Sequence, residues 1–119
     1  MLNKPLKVHL RRVGDAVIID LVGDLNHQGE AAMKEAYRQA TANDARRIFF
    51  NFERTDYINT SGIAILISLV MEAQKAGQQI GLFGVNPHYQ KVFQLVRLPL
   101  YATIYASEQE ALAGVAQTL

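Results

Sequence analysis

Apolar and polar positions alternate near the start of the chain and then change to a helical repeat. Two apolar runs of β type, around residues 8–10 and 17–22, flank residues 12–15, whose Gly-Asp pair is typical of a turn. Further along, the apolar positions recur every three or four residues, as on one face of a helix. They are Gly29, Met33, Ala36, Tyr37 and Ala40. The pattern predicts an antiparallel hairpin followed by an amphipathic helix.

The middle of the chain holds an apolar run at 48–52 that is interrupted only by Asn51. Such a run is typical of a strand that helices cover on both faces. A second helix is predicted after Thr60, and projecting it at about 100° per residue separates a core stripe from the other positions. The stripe contains Ile63, Leu66, Ile67, Leu69, Val70 and Ala73. Ile65 and Met71 fall outside this stripe.

Gly, Asn and Pro positions in the second half of the chain predict where the next elements begin and end. Gly77 has the position of a helix C-cap, and residues 80–83 follow as a short apolar strand. Asn and Pro at 86–87 are typical of a helix start, so we expect a third helix through residue 96 that Pro99 ends.

The end of the chain predicts one more strand and one more helix. Residues 100–105 are expected to be extended, and residues 107–110 have the spacing of a capping box. The apolar positions of the helix that follows are Ala111, Leu112, Val115 and Ala116. Strands that alternate with helices predict an α/β sandwich with about four helices, parallel central strands and an antiparallel first hairpin. With no linker or repeat, residues 1–119 are expected to form a single domain.

Composition narrows the functional classes. The chain has 12 basic and 11 acidic residues spread along its length, so the sequence indicates no basic cluster that would bind nucleic acid or anionic lipid. Because there is no cysteine, disulfides and thiolate metal sites are excluded, and a reducing compartment such as the cytoplasm is favoured. Residues 1–5 lack the apolar core of a secretory signal, and the apolar run 63–70 is far short of the roughly 20 residues that span a bilayer, so we expect no membrane insertion. The pairs Arg11-Arg12 and Arg46-Arg47 are expected to be solvated strand ends.

The junction at residues 56–63 carries the strongest chemical signal. There Asn59, Thr60 and Ser61 stand where a helix begins. A helix N-terminus has unpaired N–H groups and a partial positive charge, which suit short oxygen-bearing side chains and also a phosphate. Thr60 and Ser61 are therefore candidate switch residues, although capping without further function explains the same residues.

Four segments taken together resemble the STAS family of anti-sigma factor antagonists. They are residues 23–26, 56–63, 82–87 and 92–112, in that order along the chain. The resemblance implies a mixed sheet with helices and a regulatory binding module whose Thr60 is phosphorylated by an anti-sigma factor serine/threonine kinase, with Ser61 as the fallback acceptor. It also implies a phosphatase for the modified form. The family commonly has Asp where this chain has Asn59, so either the partner differs or phosphorylation is absent.

The residues around Thr60 are the expected contact surface for that partner. The predicted contacts are Asp24, Asn26, His27, Asn59, Thr60, Ser61, Gly62, Ile65 and Met71. Four of them have a plainer interpretation: Asp24 and Asn26 as caps of the first helix, His27 as an exposed first-turn residue, and Ile65 as a residue packed under a loop.

Two other classes of function remain open at this point. Catalysis is not expected, because His9, His27 and His88 stand in unrelated contexts and no nucleophile elbow or phosphate-binding loop is present. No metal or cofactor is implied. The other alternative keeps the fold, since STAS modules also serve as scaffold subunits of signalling assemblies and as cytoplasmic regulators of membrane transport systems.

Overall fold

A mixed sheet of six strands forms the centre of the computed structural model, which describes residues 4–42 and 44–114. The strands are β1 (Lys7–Val13), β2 (Ala16–Leu25), β3 (Arg47–Asn51), β4 (Thr55–Ile58), β5 (Gln79–Phe83) and β6 (Thr103–Tyr105). The α-helices are α1 (Glu30–Ala42), α2 (Thr60–Lys75), α3 (Pro87–Leu95) and α4 (Glu108–Ala113), and the 3₁₀ turns are His27–Gly29 and Leu98–Leu100.

The sheet has the order β1-β2-β3-β5-β6, with β1 antiparallel to β2 and the other pairs parallel. The long strand β2 pairs with β3 along its first half and with β4 along its last residues. This architecture confirms the predicted α/β sandwich, its antiparallel hairpin and its four helices.

The two faces of the sheet are covered unequally. Because side chains alternate along a strand, Ile19, Ile48 and Leu82 face a large core under α1, α2 and α3. Ile18 and Phe49 face a smaller cluster that α4 closes through the fully buried Ala111. The predicted core face of α1 is confirmed, since Met33, Ala36, Tyr37 and Ala40 are all buried.

The parallel strands give the molecule two distinct ends. We call the end where β2, β3, β5 and β6 begin the amino end, and the end where they finish the carboxyl end. Each helix that connects parallel neighbours must return across the sheet, so α2 and α3 begin at the carboxyl end and finish at the amino end.

The segment between α3 and α4 differs from the sequence prediction. Residues 100–105 were expected to be extended, but the strand is only Thr103–Tyr105, and Leu98–Leu100 forms a 3₁₀ turn that contains Pro99. The helix α3 has already ended at Leu95, because Arg97 adopts a left-handed conformation with φ 62°. Ser107 caps α4, with the Glu110 N–H donating to Ser107 Oγ at 3.2 Å, which is one of the two hydrogen bonds of the predicted capping box, whereas Val115 and Ala116 lie outside the described residues.

The expectation that the arginine pairs are solvated strand ends is wrong for Arg11 and Arg47. Arg11 donates to Asp20 at 2.7 and 2.9 Å and to Glu108 at 2.6 and 3.1 Å, so it joins the hairpin to the start of α4. Arg47 pairs with Asp15 and also donates to the Leu112 carbonyl at 3.0 Å. These contacts attach α4 to the second face of the sheet, which a linear sequence pattern does not reveal.

Burial alone would raise the pKa of the Asp20 carboxyl, but hydrogen bonds from Arg11 and Asn51 outweigh it and hold that pKa below its usual value. Hydrogen bonds to Asp20 and Glu108 raise the pKa of the Arg11 guanidinium. Both groups are therefore charged at neutral pH.

Within residues 4–42 and 44–114, no helix combines the length and the apolar character needed to cross a membrane.

Candidate functional site at the strand–helix junction

The junction between β4 and α2 is held against the end of β2 by main-chain contacts. Ile58 is the register partner of Leu25, and the Asn59 N–H donates to the Leu25 carbonyl at 3.2 Å. Asn59 is extended, with φ −92° and ψ −178°, and its side-chain oxygen accepts the Gly62 N–H at 2.9 Å. Asn59 is therefore the N-cap of α2, as its residue type predicts.

Gly62 allows α2 to begin directly on the main chain of β2. A Cβ at this position would lie 2.8 Å from the Leu25 carbonyl carbon and closer still to the carbonyl oxygen. Because main-chain atoms cannot swing aside as a flexible side chain does, only glycine fits this close approach. Gly62 thus determines where the first turn of α2 lies relative to the sheet.

Thr60 and Ser61 occupy the first turn of α2, and both are exposed. In the described part of the chain, neither of their N–H groups has a hydrogen-bond partner. These N–H groups and the positive end of a 16-residue helix make the surface favourable for an oxyanion. Both predicted acceptor hydroxyls are thus within reach of an incoming enzyme.

The predicted contacts from the end of β2 lie beside this turn. Asn26 is the N-cap of the first 3₁₀ turn, its side chain accepting the Gln28 N–H at 3.0 Å, and that turn packs beside α2. His27 is exposed in the same turn. The structure therefore brings Asn26 and His27 to the surface that carries Thr60.

Asp24 has a different role from the cap suggested by the sequence. Its carboxylate accepts the Lys4 N–H at 3.1 Å, and its own N–H donates to the Lys4 carbonyl at 2.8 Å. The ammonium group of Lys4 in turn pairs with Asp56 at 3.3 Å. Lys4 thus ties the start of the chain to two carboxylates that precede the junction.

Two of the predicted contacts do not belong to the surface around Thr60. Ile65 is only 7% exposed and packs in the main core, so its expected exposure is wrong. The close seating of Gly62 rotates α2 so that Ile65 faces inward, whereas Ile63 and Ile67 are only partly buried. Met71 is half-buried in a groove between α1 and α2, about 16 Å along the helix from Thr60.

Sequence reasoning missed Tyr89, which supports the junction from α3. Its hydroxyl accepts the Ile58 N–H at 2.9 Å, and its ring is buried. A main-chain donor at the end of β4 is thereby satisfied, which fixes the residue immediately before the cap. The strand β4 was not predicted, so no sequence signal pointed to this contact.

The three histidines remain separate in the folded chain. His9 lies on β1, His27 in the first 3₁₀ turn, and His88 at the start of α3. Over the described ranges, no group of three or more His, Cys, Asp or Glu side chains is arranged to hold a metal ion.

The structure is thus an α/β domain with helices on both faces of a mixed sheet, and two hydroxyls are exposed where α2 begins beside the end of β2. The family model described as "Mlab, STAS domain" matches residues 8–99. The chain belongs to the STAS domain family.

Solved structures of STAS proteins are similar over most of their length. The anti-sigma factor antagonist SpoIIAA in its unphosphorylated form has 25% identity and a TM-score of 0.72, over 92% of this chain and 97% of its own. The Bacillus cell fate determinant SpoIIAA in its phosphorylated form has 28% identity and a TM-score of 0.66, over 92% and 99%.

A sulfate transporter family protein from Wolinella succinogenes is also similar, with 14% identity and a TM-score of 0.75, over 88% of both chains. This likeness concerns the fold alone. The general kind of protein is therefore a STAS domain with anti-sigma factor antagonists among its structural neighbours.

Proposed function

We propose that this protein is an anti-sigma factor antagonist that binds an anti-sigma factor kinase when unphosphorylated and is released when Thr60 is phosphorylated. Binding would keep the kinase from its sigma factor, so the switch would regulate transcription from the cytoplasm. The exposed Thr60 hydroxyl in the first turn of α2 carries this proposal. The catalytic step belongs to the partner kinase, and a separate phosphatase restores the unmodified form.

The local geometry supports a domain that tolerates the modification. A phosphoryl group adds about 1.5 to 2 negative charges, which the N-terminus of a helix stabilises. The nearby carboxylates of Asp24 and Asp56 are both engaged by Lys4, which lessens their repulsion of a new anion. We therefore expect phosphorylation to leave the fold and its stability nearly unchanged.

The same charge acts differently on a bound partner. A complex that covers Thr60 must take the phosphate out of water, which costs several kcal/mol unless the partner supplies matching cations. Since 1.4 kcal/mol is about tenfold in affinity, even part of this cost releases the partner.

A substitution at Asn59 tests whether the family's phosphorylation mechanism extends to this chain. Its side chain keeps the capping contact with Gly62 but lacks the charge of the usual Asp. If the kinase recognises a carboxylate at position 59, Asn59→Asp should raise the rate of phosphorylation while the capping contact is preserved. If the kinase recognises only the first turn of α2, the same variant should leave the rate unchanged.

The experiment uses the full chain and the kinase obtained by affinity capture from the native cell. Incubation with ATP should give one phosphopeptide, which Thr60→Ala abolishes and Ser61→Ala retains. Thr60→Glu should weaken kinase binding at least tenfold without changing the melting temperature.

Ser68→Glu is the matched control, because it places the same charge at an exposed position on α2 away from the first turn. Phosphorylation mapped to Ser61 would refute Thr60 as the acceptor. Phosphorylation mapped outside residues 60 and 61, or equal kinase binding by the wild type and Thr60→Glu, would refute the proposal.

A second candidate function is a scaffold subunit of a signalling assembly or a regulator of a membrane transport system, possible without phosphorylation. The fold shared with the sulfate transporter family protein and the uncharged Asn59 support it. Affinity capture separates the two candidates: a small kinase supports the antagonist, whereas a transporter subunit or a large assembly of homologous chains supports the second.

A further inference from the structure

Large apolar side chains protrude at the amino end of the domain, where α3 finishes. Leu95 is 82% exposed and Leu100 is 67% exposed, while Val96 and Tyr101 are about 40% exposed. They lie on both sides of Arg97, whose left-handed backbone turns the chain between α3 and the second 3₁₀ turn. Scattered apolar side chains are common on surfaces, but four within seven consecutive residues form an apolar patch, which is typical of an interaction surface.

Exposed cations occupy the same end of the molecule. Arg46 precedes β3, Lys75 ends α2, and Arg97 lies within the apolar patch. All three are exposed, and in the described structure none of them forms an ion pair. Arg47 is different, because Asp15 neutralises it.

Few acidic residues oppose these cations. From Ala73 to Ser107 the chain contains no Asp or Glu. The exposed carboxylates near this end are Asp44, in the α1–β3 connection, and Glu72, in the last turn of α2, while Asp15 is already engaged. Basic and acidic residues are nearly equal in number along the sequence, but the fold places more exposed cations than carboxylates at the amino end. This end is therefore basic.

The sheet register places the cations and the apolar patch close together. Arg47 is the register partner of Gln79, and the Gln79 N–H donates to the Arg46 carbonyl at 2.9 Å. Strand β6, which follows the apolar patch, is the next neighbour of β5. Strands are about 4.8 Å apart, and β6 starts two residues further along β5 than β3 does, so the starts of β3 and β6 are about 12 Å apart.

We propose that the amino end of the domain binds the surface of an anionic lipid bilayer. Leu95 and Leu100 enter the boundary between headgroups and acyl chains, and Arg46, Lys75 and Arg97 face the lipid headgroups. Apolar side chains that enter the interface, combined with flanking cations, are the two contributions that hold peripheral proteins on such membranes. Tyr101 suits the same boundary, since one end of its side chain is apolar and the other polar.

A bilayer fits this surface better than an acidic protein partner. The 82% exposure of Leu95 shows that the side chain protrudes and is not part of a groove. A protein partner would need a preformed pocket for each protruding leucine, whereas a fluid interface accepts them without one. The contact is independent of the proposed switch, because Thr60 lies at the carboxyl end.

The test is sedimentation of the full chain with vesicles. Vesicles of phosphatidylcholine that contain about 30% phosphatidylserine should bind the protein at least tenfold more tightly than phosphatidylcholine alone. Raising the ionic strength to about 0.5 M should remove most of that difference, because salt screens exposed charges.

Variants separate the two contributions. Leu95→Ser with Leu100→Ser should reduce binding to the anionic vesicles at least tenfold, and so should Arg46→Gln with Lys75→Gln and Arg97→Asn. Asn suits position 97 because it tolerates the left-handed backbone there. Tyr57→Ser removes a 56% exposed apolar side chain from the other end and should leave vesicle binding unchanged.

Circular dichroism confirms that each variant is folded. Absence of sedimentation with the anionic vesicles, equal binding to neutral vesicles, or wild-type binding by both multiple variants overturns the proposal. The first and last of these outcomes would assign the apolar patch to a protein contact, and equal binding to neutral vesicles would show that the cations do not contribute.

Discussion

Gly62→Ala is the sharpest test of how the first turn of α2 is positioned. If space were available, the substitution would stabilise the protein. Alanine is favoured over glycine inside a helix by about 1 kcal/mol, and it also restricts the unfolded chain. The structure predicts the opposite sign, because the new methyl group meets the main chain of Leu25.

The size of the effect follows from the distances. A Cβ at position 62 lies 2.8 Å from the Leu25 carbonyl carbon and 3.0 Å from its Cγ, and the carbonyl oxygen is nearer than both. Relief requires α2 or the end of β2 to shift, and such overpacking costs about 1 to 3 kcal/mol or more. Because the shift also strains the contact between Asn59 N–H and the Leu25 carbonyl, we expect the clash to outweigh the helix preference. The net loss should be about 1 to 2 kcal/mol, or roughly 3 to 8 °C in melting temperature.

Urea unfolding and calorimetry measure this change directly. Ala64→Gly is the matched control, since residue 64 is exposed in the same helix and its replacement should cost about 1 kcal/mol through helix preference alone. If Gly62→Ala raises the unfolding free energy, the first turn of α2 does not press on β2 and the geometry assigned to Thr60 is incorrect.

Two further predictions follow from the burial and charge of single residues. Ile65→Asp should lower the unfolding free energy by about 3 to 5 kcal/mol in urea titrations, because it places an unpaired charge in the core; a loss below about 1 kcal/mol would contradict its burial. The pKa of Asp20 is lowered in the folded protein, so its stabilising contribution is present above the ordinary value of 3.8 and is lost as the pH falls through the folded pKa. Carboxyl titration by NMR should therefore give a midpoint below 3.8, and Arg11→Met should raise that midpoint because only the hydrogen bond from Asn51 and the charge interaction with His9 then oppose the effect of burial.

The fold was predictable because most of its signals are local. Helix periodicity identified the buried face of α1, and the caps Asn59, Asn86 and Ser107 identified three helix starts. Each of these signals depends on residues within one turn of each other. The structure confirms them.

The features that the sequence did not predict have a different cause, since each of them depends on contacts between residues far apart in sequence. Strand β4 forms because β2 extends beyond β3 and offers its last residues for pairing. Ile65 is buried because Leu25 fixes the rotation of α2 through Gly62. The pairing of Arg11 with Glu108 joins residues almost a whole chain apart. Periodicity along a single helix or strand contains none of this information.

The length of α2 limits how the two ends of the domain influence each other. Its 16 residues span roughly 24 Å, whereas the Debye length at physiological salt is about 8 Å. The charge of a phosphoryl group on Thr60 would therefore be almost fully screened at the amino end. Since α2 is a continuous helix packed on the sheet, no hinge lies between the two surfaces. If both proposals hold, phosphorylation changes which partner occupies the carboxyl end without altering the membrane contact proposed for the amino end, and coupling between them requires a partner that touches both.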